Sequence, residues 1–91
     1  MKKYKYQAIF DYDEDGVTVT FPDLPGCITC GDNEEEALTN AKECMALHLF
    51  GMEEDNDLIP EPTKIEVLDK NQKVLDIEIL MSDYEELIER L

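Results

Sequence analysis

The sequence predicts an α+β domain, an antiparallel sheet with one main helix packed on it, in the order β-β-β-α-β-α. Three observations carry this. Tyr4, Tyr6, Ala8, Phe10 and Tyr12 fall on alternate positions, as do Val17, Val19 and Phe21, which is the period of strands with one buried face. Leu38, Ala41, Met45, Leu49 and Met52 then recur at helical spacing. Leu75, Ile77, Ile79 and Met81 alternate once more, with Asp76 and Glu78 between them. Strands followed by a helix that covers one face of their sheet is the α+β arrangement.

Each element has its own signals. Residues 3–12 and 16–21 read as an antiparallel hairpin, because Asp13-Glu14-Asp15-Gly16 lies between them and Asp-Gly marks a tight turn. Pro22, Pro25 and Gly26 interrupt regular structure, since proline lacks a ladder donor and glycine permits a sharp turn. Cys27 to Cys30 suits a short third strand, ended by Gly31. Asn33 followed three residues later by Glu36 resembles a capping box, and Glu34 and Glu35 complement the positive end of a helix over 34–52. Residues 53–63, acidic and then carrying Pro60 and Pro62, form a loop. Ile65 and Val67 suit a short strand, and Asn71-Gln72 the turn into the strand centred on Ile77. Ser82 with Glu85 is a second capping box, opening a short helix with Tyr84, Leu87, Ile88 and Leu91 on one face.

Residues 1–91 make one domain, since two cores would leave each half too small to stand alone. Such a size leaves a thin stability margin, which oligomerisation relieves. Charge is the outlying property: 23 acidic residues against 8 basic ones give a formal net charge of −15. Nucleic-acid binders need Lys and Arg to displace counterions from phosphates, so this balance disfavours nucleic acid and anionic membranes alike. Basic partners are attracted and steered. No stretch has the roughly 20 apolar residues of a membrane span, and alternation follows Lys2-Lys3 where a signal peptide would have an apolar run. Three cysteines without a disulfide-like framework fit a reducing, cytoplasmic setting.

Four constellations invite a chemical reading, and each has a plainer one. Cys27-Ile28-Thr29-Cys30 has CxxC spacing, with Cys44 and His48 as further ligands in principle; an extended backbone points the two thiols to opposite faces, which favours ordinary packed cysteines. Asp11-Tyr12-Asp13-Glu14-Asp15-Gly16 opens like a calcium loop, but Pro22 occupies the place of the closing glutamate, leaving a solvated hairpin turn. His48 is the sole histidine, and a Cys44–His48 pair has no evident third group or oxyanion hole. Asp11, Glu43 and Asp76 are the carboxylates that a two-metal nuclease would use, yet no basic surface is present to hold its substrate. No catalytic, metal or cofactor site is therefore assigned. Leu47 and Phe50 lie opposite the helix's core stripe; either the 53–63 loop covers them or they form a partner surface.

The run Phe21, Pro22, Asp23, Leu24, Pro25, Gly26, Cys27, Ile28, Thr29, Cys30, Gly31, Asp32, followed by Glu35, Glu36, Ala37, Asn40 and Ala41, resembles the N-terminal domain of the HicB antitoxin family. The preceding hairpin and the later Ile59-Pro60-Glu61-Pro62 extend that resemblance over residues 3–80. It implies a partial RNase H-like fold lacking the catalytic carboxylate set. It further implies neutralisation of a HicA-type toxin, a small, basic, messenger-RNA-cleaving protein. An acidic inhibitor offers carboxylates where phosphates would sit. The contact residues expected on this reading are Asp13, Glu14, Asp15, Glu35 and Glu36, with Leu47 and Phe50 as apolar anchors, in a homodimer. Many relatives continue into a DNA-binding domain; here only Arg90 is basic after Lys73, so no operator-reading element is expected. The alternative is a stand-alone dimeric regulatory module without a toxin.

Overall fold

The computed structural model describes residues 2–66 and 69–90 of the chain. Four strands form one antiparallel sheet: β1 (Lys3–Asp13), β2 (Gly16–Thr20), β3 (Ile28–Gly31) and β4 (Gln72–Leu80), in the spatial order β3-β2-β1-β4. The register pairs Phe10 with Val19 and Tyr12 with Val17 on one side of β1, and Tyr6 with Ile77 and Tyr4 with Ile79 on the other. Because side chains alternate across a strand, these residues share one face. Helix α1 (Glu34–Glu54) covers that face, contributing Ala37, Ala41, Met45, Ala46 and Leu49 to a core with Tyr6, Ala8, Phe10, Val17, Val19 and Ile77. The predicted α+β order therefore holds, with the helix running two residues further than its periodicity indicates.

Local chemistry sets the ends of these elements. At the β1–β2 turn the Asp13 carboxylate accepts the Asp15 amide at 2.8 Å, an Asx turn. Gly16 follows with φ of +144°, and a Cβ there would meet the Gly31 carbonyl oxygen at 2.6 Å. Asn33 caps α1, its Oδ1 accepting the Glu36 amide at 2.9 Å, while Glu36 Oε1 accepts the Asp32 amide at 3.0 Å. The helix stops where Asn56 adopts φ of +56° and the Asp57 amide returns to the Met52 carbonyl at 2.9 Å, a left-handed C-terminal cap.

Residues 57–66 form no helix or strand, but side chains tie them down. Tyr6 Oη donates to the Pro60 carbonyl, Thr63 donates both its amide (2.9 Å) and its hydroxyl (2.6 Å) to Asp23, and the Ile65 amide donates to Gln7 Oε1 at 2.6 Å. Ile65 thus satisfies its donor on a side chain and joins no strand; Val67, its expected companion, lies outside the described residues. After β4 a 3₁₀ turn (Met81–Tyr84) leads into α2 (Glu85–Glu89). No side chain caps either, so the Ser82–Glu85 capping box does not form. Instead the Met81 amide bonds the Lys2 carbonyl at 2.9 Å, and Met81, Tyr84 and Ile88 pack against the core. Leu91 lies outside the described residues.

Candidate partner-binding surface

The run from Phe21 to Gly31 builds a tight corner between β2 and α1. Phe21, Leu24 and Cys27 are buried, and three backbone bonds link them: Leu24 N to Phe21 O (3.0 Å), Cys27 N to Leu24 O (2.9 Å) and Phe21 N to Cys27 O (3.2 Å). Pro22, Pro25 and Gly26 face solvent, Gly26 with φ of +90°. Asp23 points away from the core to hold Thr63. At the far end of the corner a Cβ on Gly31 would lie 2.4 Å from the Ala37 amide nitrogen, so this glycine lets α1 rest its first turn on β3. Pairing of Val17 with Gly31 then brings the hairpin turn beside the helix start.

That juxtaposition creates an acidic hollow of about 340 Å³, lined by Asp13, Asp15, Asp32 and Glu36 together with Cys30 and Asn40. Three of the five expected acidic contacts, Asp13, Asp15 and Glu36, meet there. Glu14 and Glu35 are exposed on the same two turns but outside its lining. Asp32 and Asn40 are additions; the strand register that recruits them is invisible in a linear pattern. Asn40 donates to the Cys30 carbonyl at 2.9 Å, fixing the helix to the strand end.

Across the start of α1, Glu34 has a different fate. It accepts a hydrogen bond from Tyr12 Oη and lies 3.5 Å from Lys73 Nζ, which sits 5.4 Å from the centre of the Tyr12 ring. The Tyr12 bond and then the Lys73 charge hold its carboxyl below the usual range, while burial and Glu34 push the Tyr12 phenol up to about 12. Near the other end of the helix, burial opposes ionisation of Glu53. Hydrogen bonds from Tyr4 Oη (2.5 Å) and Lys2 Nζ (2.9 Å) outweigh it, so the carboxyl is again lowered. Among the described residues five ion pairs form, so most of the 23 acidic side chains have no cation beside them.

Leu47 and Phe50 line two different hollows, and neither lines the acidic one. Leu47 lines a separate hollow of about 460 Å³ with Pro25, His48, Met52, Asp55 and Asp57. Phe50 packs against the core and lines a groove with Glu53, Met81, Glu85, Ile88 and Glu89. Phe50 is therefore bordered by the C-terminal turn and α2 together with Glu53, whereas Asp55 and Asp57 of the 53–63 segment border Leu47.

The residues weighed for chemistry are scattered. Asp11 and Asp76 stand on the face of the sheet away from α1, whereas Glu43 lines a surface hollow with Asp83, Tyr84 and Arg90 on the helix side. Among the described residues, no three His, Cys, Asp or Glu side chains converge as a metal site. Cys27 is buried and Cys30 exposed, so the CxxC thiols do point apart. No helix among the described residues is long and apolar enough to cross a membrane.

Comparison with known proteins gives this surface a context. Residues 6–89 match the HicB_like antitoxin of bacterial toxin–antitoxin system family. Antitoxin HicB 2 of Photorhabdus laumondii is 39% identical over 62 residues, covering 68% of this chain and 45% of that protein. The chain spans about half the length of several of the curated relatives it matches. Among solved structures, a toxin–antitoxin complex from Streptococcus pneumoniae contains a chain with the same fold, with a TM-score of 0.78, 20% identity, and coverage of 91% of this chain and 73% of that one. A chain of the HicA3 and HicB3 toxin–antitoxin complex superposes with a TM-score of 0.58 and 26% identity, covering 68% and 72%. The chain belongs to the HicB-like antitoxin family.

Proposed function

We propose that this protein binds and neutralises a small basic toxin of the HicA type in the cytoplasm, by covering the face with which that toxin holds RNA. It acts by binding and not by catalysis. The observation that carries the reading is the cluster of carboxylates at one end of the sheet, where Asp13, Asp15, Asp32 and Glu36 share one hollow and Glu14 and Glu35 flank it. A basic RNA-binding face would be drawn to this end by the net charge of −15 and would exchange phosphates for carboxylates. Leu47 and Phe50, which line different hollows, would add apolar contacts around the helix. A homodimer belongs to the same reading, and the short edge strand β3 with its exposed Ile28 is a place for a second copy to pair.

The test is co-expression with a small basic toxin encoded beside this gene, scored by growth. Rescue is expected, and its absence overturns the proposal and leaves the stand-alone regulatory module. A second arm addresses the mask itself. Glu14→Lys combined with Asp15→Lys alters two exposed side chains of the hairpin turn without touching the core. Slower association with the toxin and a shallower salt dependence are expected; wild-type binding that ignores salt refutes a charge-based mask even if growth is rescued.

A further inference from the structure

The fold makes a thiol pair that the CxxC spacing does not. Cys27 Sγ lies 3.5 Å from Cys44 Sγ, bringing the end of the Phe21–Cys27 corner against the middle of α1. Cys27 is 1% exposed, whereas Cys44 is half-buried and also lies 3.7 Å from the Ile28 carbonyl oxygen. Cys30, on the other face, is exposed and outside the pair. We propose that Cys27 and Cys44 form an oxidation site at which a hydroperoxide converts two thiols into one intrachain disulfide, stapling the corner to the helix. This is independent of any toxin.

The two thiols suit different roles. Cys44 is the one a small oxidant reaches. Burial, then the bond with Cys44, pushes the Cys27 thiol above its ordinary value, so Cys27 does not compete for the oxidant and gives up its proton only as the hydroxyl leaves Cys44. With hydrogen peroxide, Cys44 sulfur attacks one peroxide oxygen; the S–O bond forms, the O–O bond breaks, and the departing hydroxide takes the Cys44 proton as water. Cys27 sulfur then attacks Cys44 sulfur; the S–S bond forms, the S–O bond breaks, and the Cys27 proton leaves with the hydroxyl as a second water. The thiols lose two electrons in all, and the peroxide is reduced to two waters. The sulfurs must approach from 3.5 Å to the roughly 2.05 Å of a disulfide. Rotation about the two Cα–Cβ bonds is the motion this requires.

The closed loop would contain β3 and the first half of α1, and such a loop raises the folding equilibrium constant roughly a hundred-fold in the chain-entropy account. The experiment uses the full chain and a Cys30→Ser variant, treated with hydrogen peroxide, alkylated and digested with trypsin. Cleavage after Lys5, Lys42 and Lys64 puts Cys27 on the 6–42 peptide and Cys44 on the 43–64 peptide. A linked pair of these peptides is expected in both proteins, absent after Cys44→Ser and abolished by a dithiol. Oxidised Cys30→Ser should also show the raised urea midpoint, which needs no variant of the buried cysteine. No linked pair, a link between chains, or a sulfinic acid on Cys44 beside an unmodified Cys27 overturns the proposal.

Discussion

Replacing Gly31 with alanine should be among the most damaging single-methyl changes in this domain. The added Cβ would lie 2.4 Å from the Ala37 nitrogen, 2.7 Å from its Cα and 2.9 Å from the Glu36 carbonyl carbon. All three are backbone atoms of the first turn of α1, and Asn33 and Glu36 pin that turn by its cap. No flexible side-chain tip can give way, so the helix start must lift from β3. Overpacking of this kind costs about 1–3 kcal/mol, and a backbone obstruction belongs at the upper end of that range. At a slope of about 1 kcal/mol per molar urea for a chain this short, the midpoint should fall by roughly 3 M. Gly51→Ala is the control, because its Cβ meets nothing within 4 Å and lies within α1. There alanine should stabilise by about 0.5–1 kcal/mol through helix propensity. Urea unfolding followed by circular dichroism reads both. A Gly31→Ala midpoint equal to wild type, or below it by less than Gly51→Ala departs from it, would refute the close-approach argument.

Two further outcomes follow from the same contacts. Asn33→Ala removes the acceptor for the Glu36 amide and should cost about 1 kcal/mol, whereas Asn33→Asp or Asn33→Ser should restore most of it; equal midpoints for all three variants would show the cap to be idle. The alkaline limb of stability should be governed by tyrosine. All four phenols are raised, chiefly by burial, with Tyr4 and Tyr12 reaching about 12 through their bonds to Glu53 and Glu34. A folded value above the unfolded one leaves stability intact below the ordinary value near 10 and removes it as pH rises through the folded values. Tyrosinate absorbance and circular dichroism should therefore change together between about pH 10 and 12, and tyrosinate appearing near pH 10 in a folded chain would contradict the burial account.

Alternation and helical period made the sheet and α1 legible because burial on one face imposes them directly. Where something other than burial satisfies the backbone, the pattern failed. Ile65 looked like a strand residue, but its amide is taken by the Gln7 side chain, and proline at 60 and 62 leaves little to ladder. Ser82 has the spacing of a cap, but the Met81 amide extends the ladder to the Lys2 carbonyl and the chain then turns as a 3₁₀ segment that starts after Leu80, with no side-chain cap bond. Phe50 fell opposite the core stripe on a wheel of α1 alone. The wheel cannot show that Met81 and Ile88 fold back beside it. For the same reason the acidic turn and helix start could be named from sequence, but not Asp32 and Asn40, which depend on which residue of β3 faces Val17. The Cys27–Cys44 approach was hidden by the more conspicuous CxxC.

A surface with so many carboxylates repels itself, and the fold has to offset that repulsion without cancelling the charge. Two devices do so here. At Glu34 and Glu53 the charge is absorbed by phenol donors and a lysine, which leaves little for a partner. At the hairpin turn and the first turn of α1 the offset comes from backbone amides instead: Asp13 accepts from Asp15, Glu36 accepts from Asp32, and the positive end of the helix favours Glu34, Glu35 and Glu36 alike. Amides stabilise a carboxylate without carrying a counter-charge, so Asp13 and Glu36 keep their field, and no cation pairs with Asp15 or Asp32 among the described residues. That is the condition a mask for a basic protein requires. It also orders the variants: removing the amide support at Asp13 should cost folding stability, whereas reversing Glu14 and Asp15, whose side chains hold nothing in place, should cost only the partner.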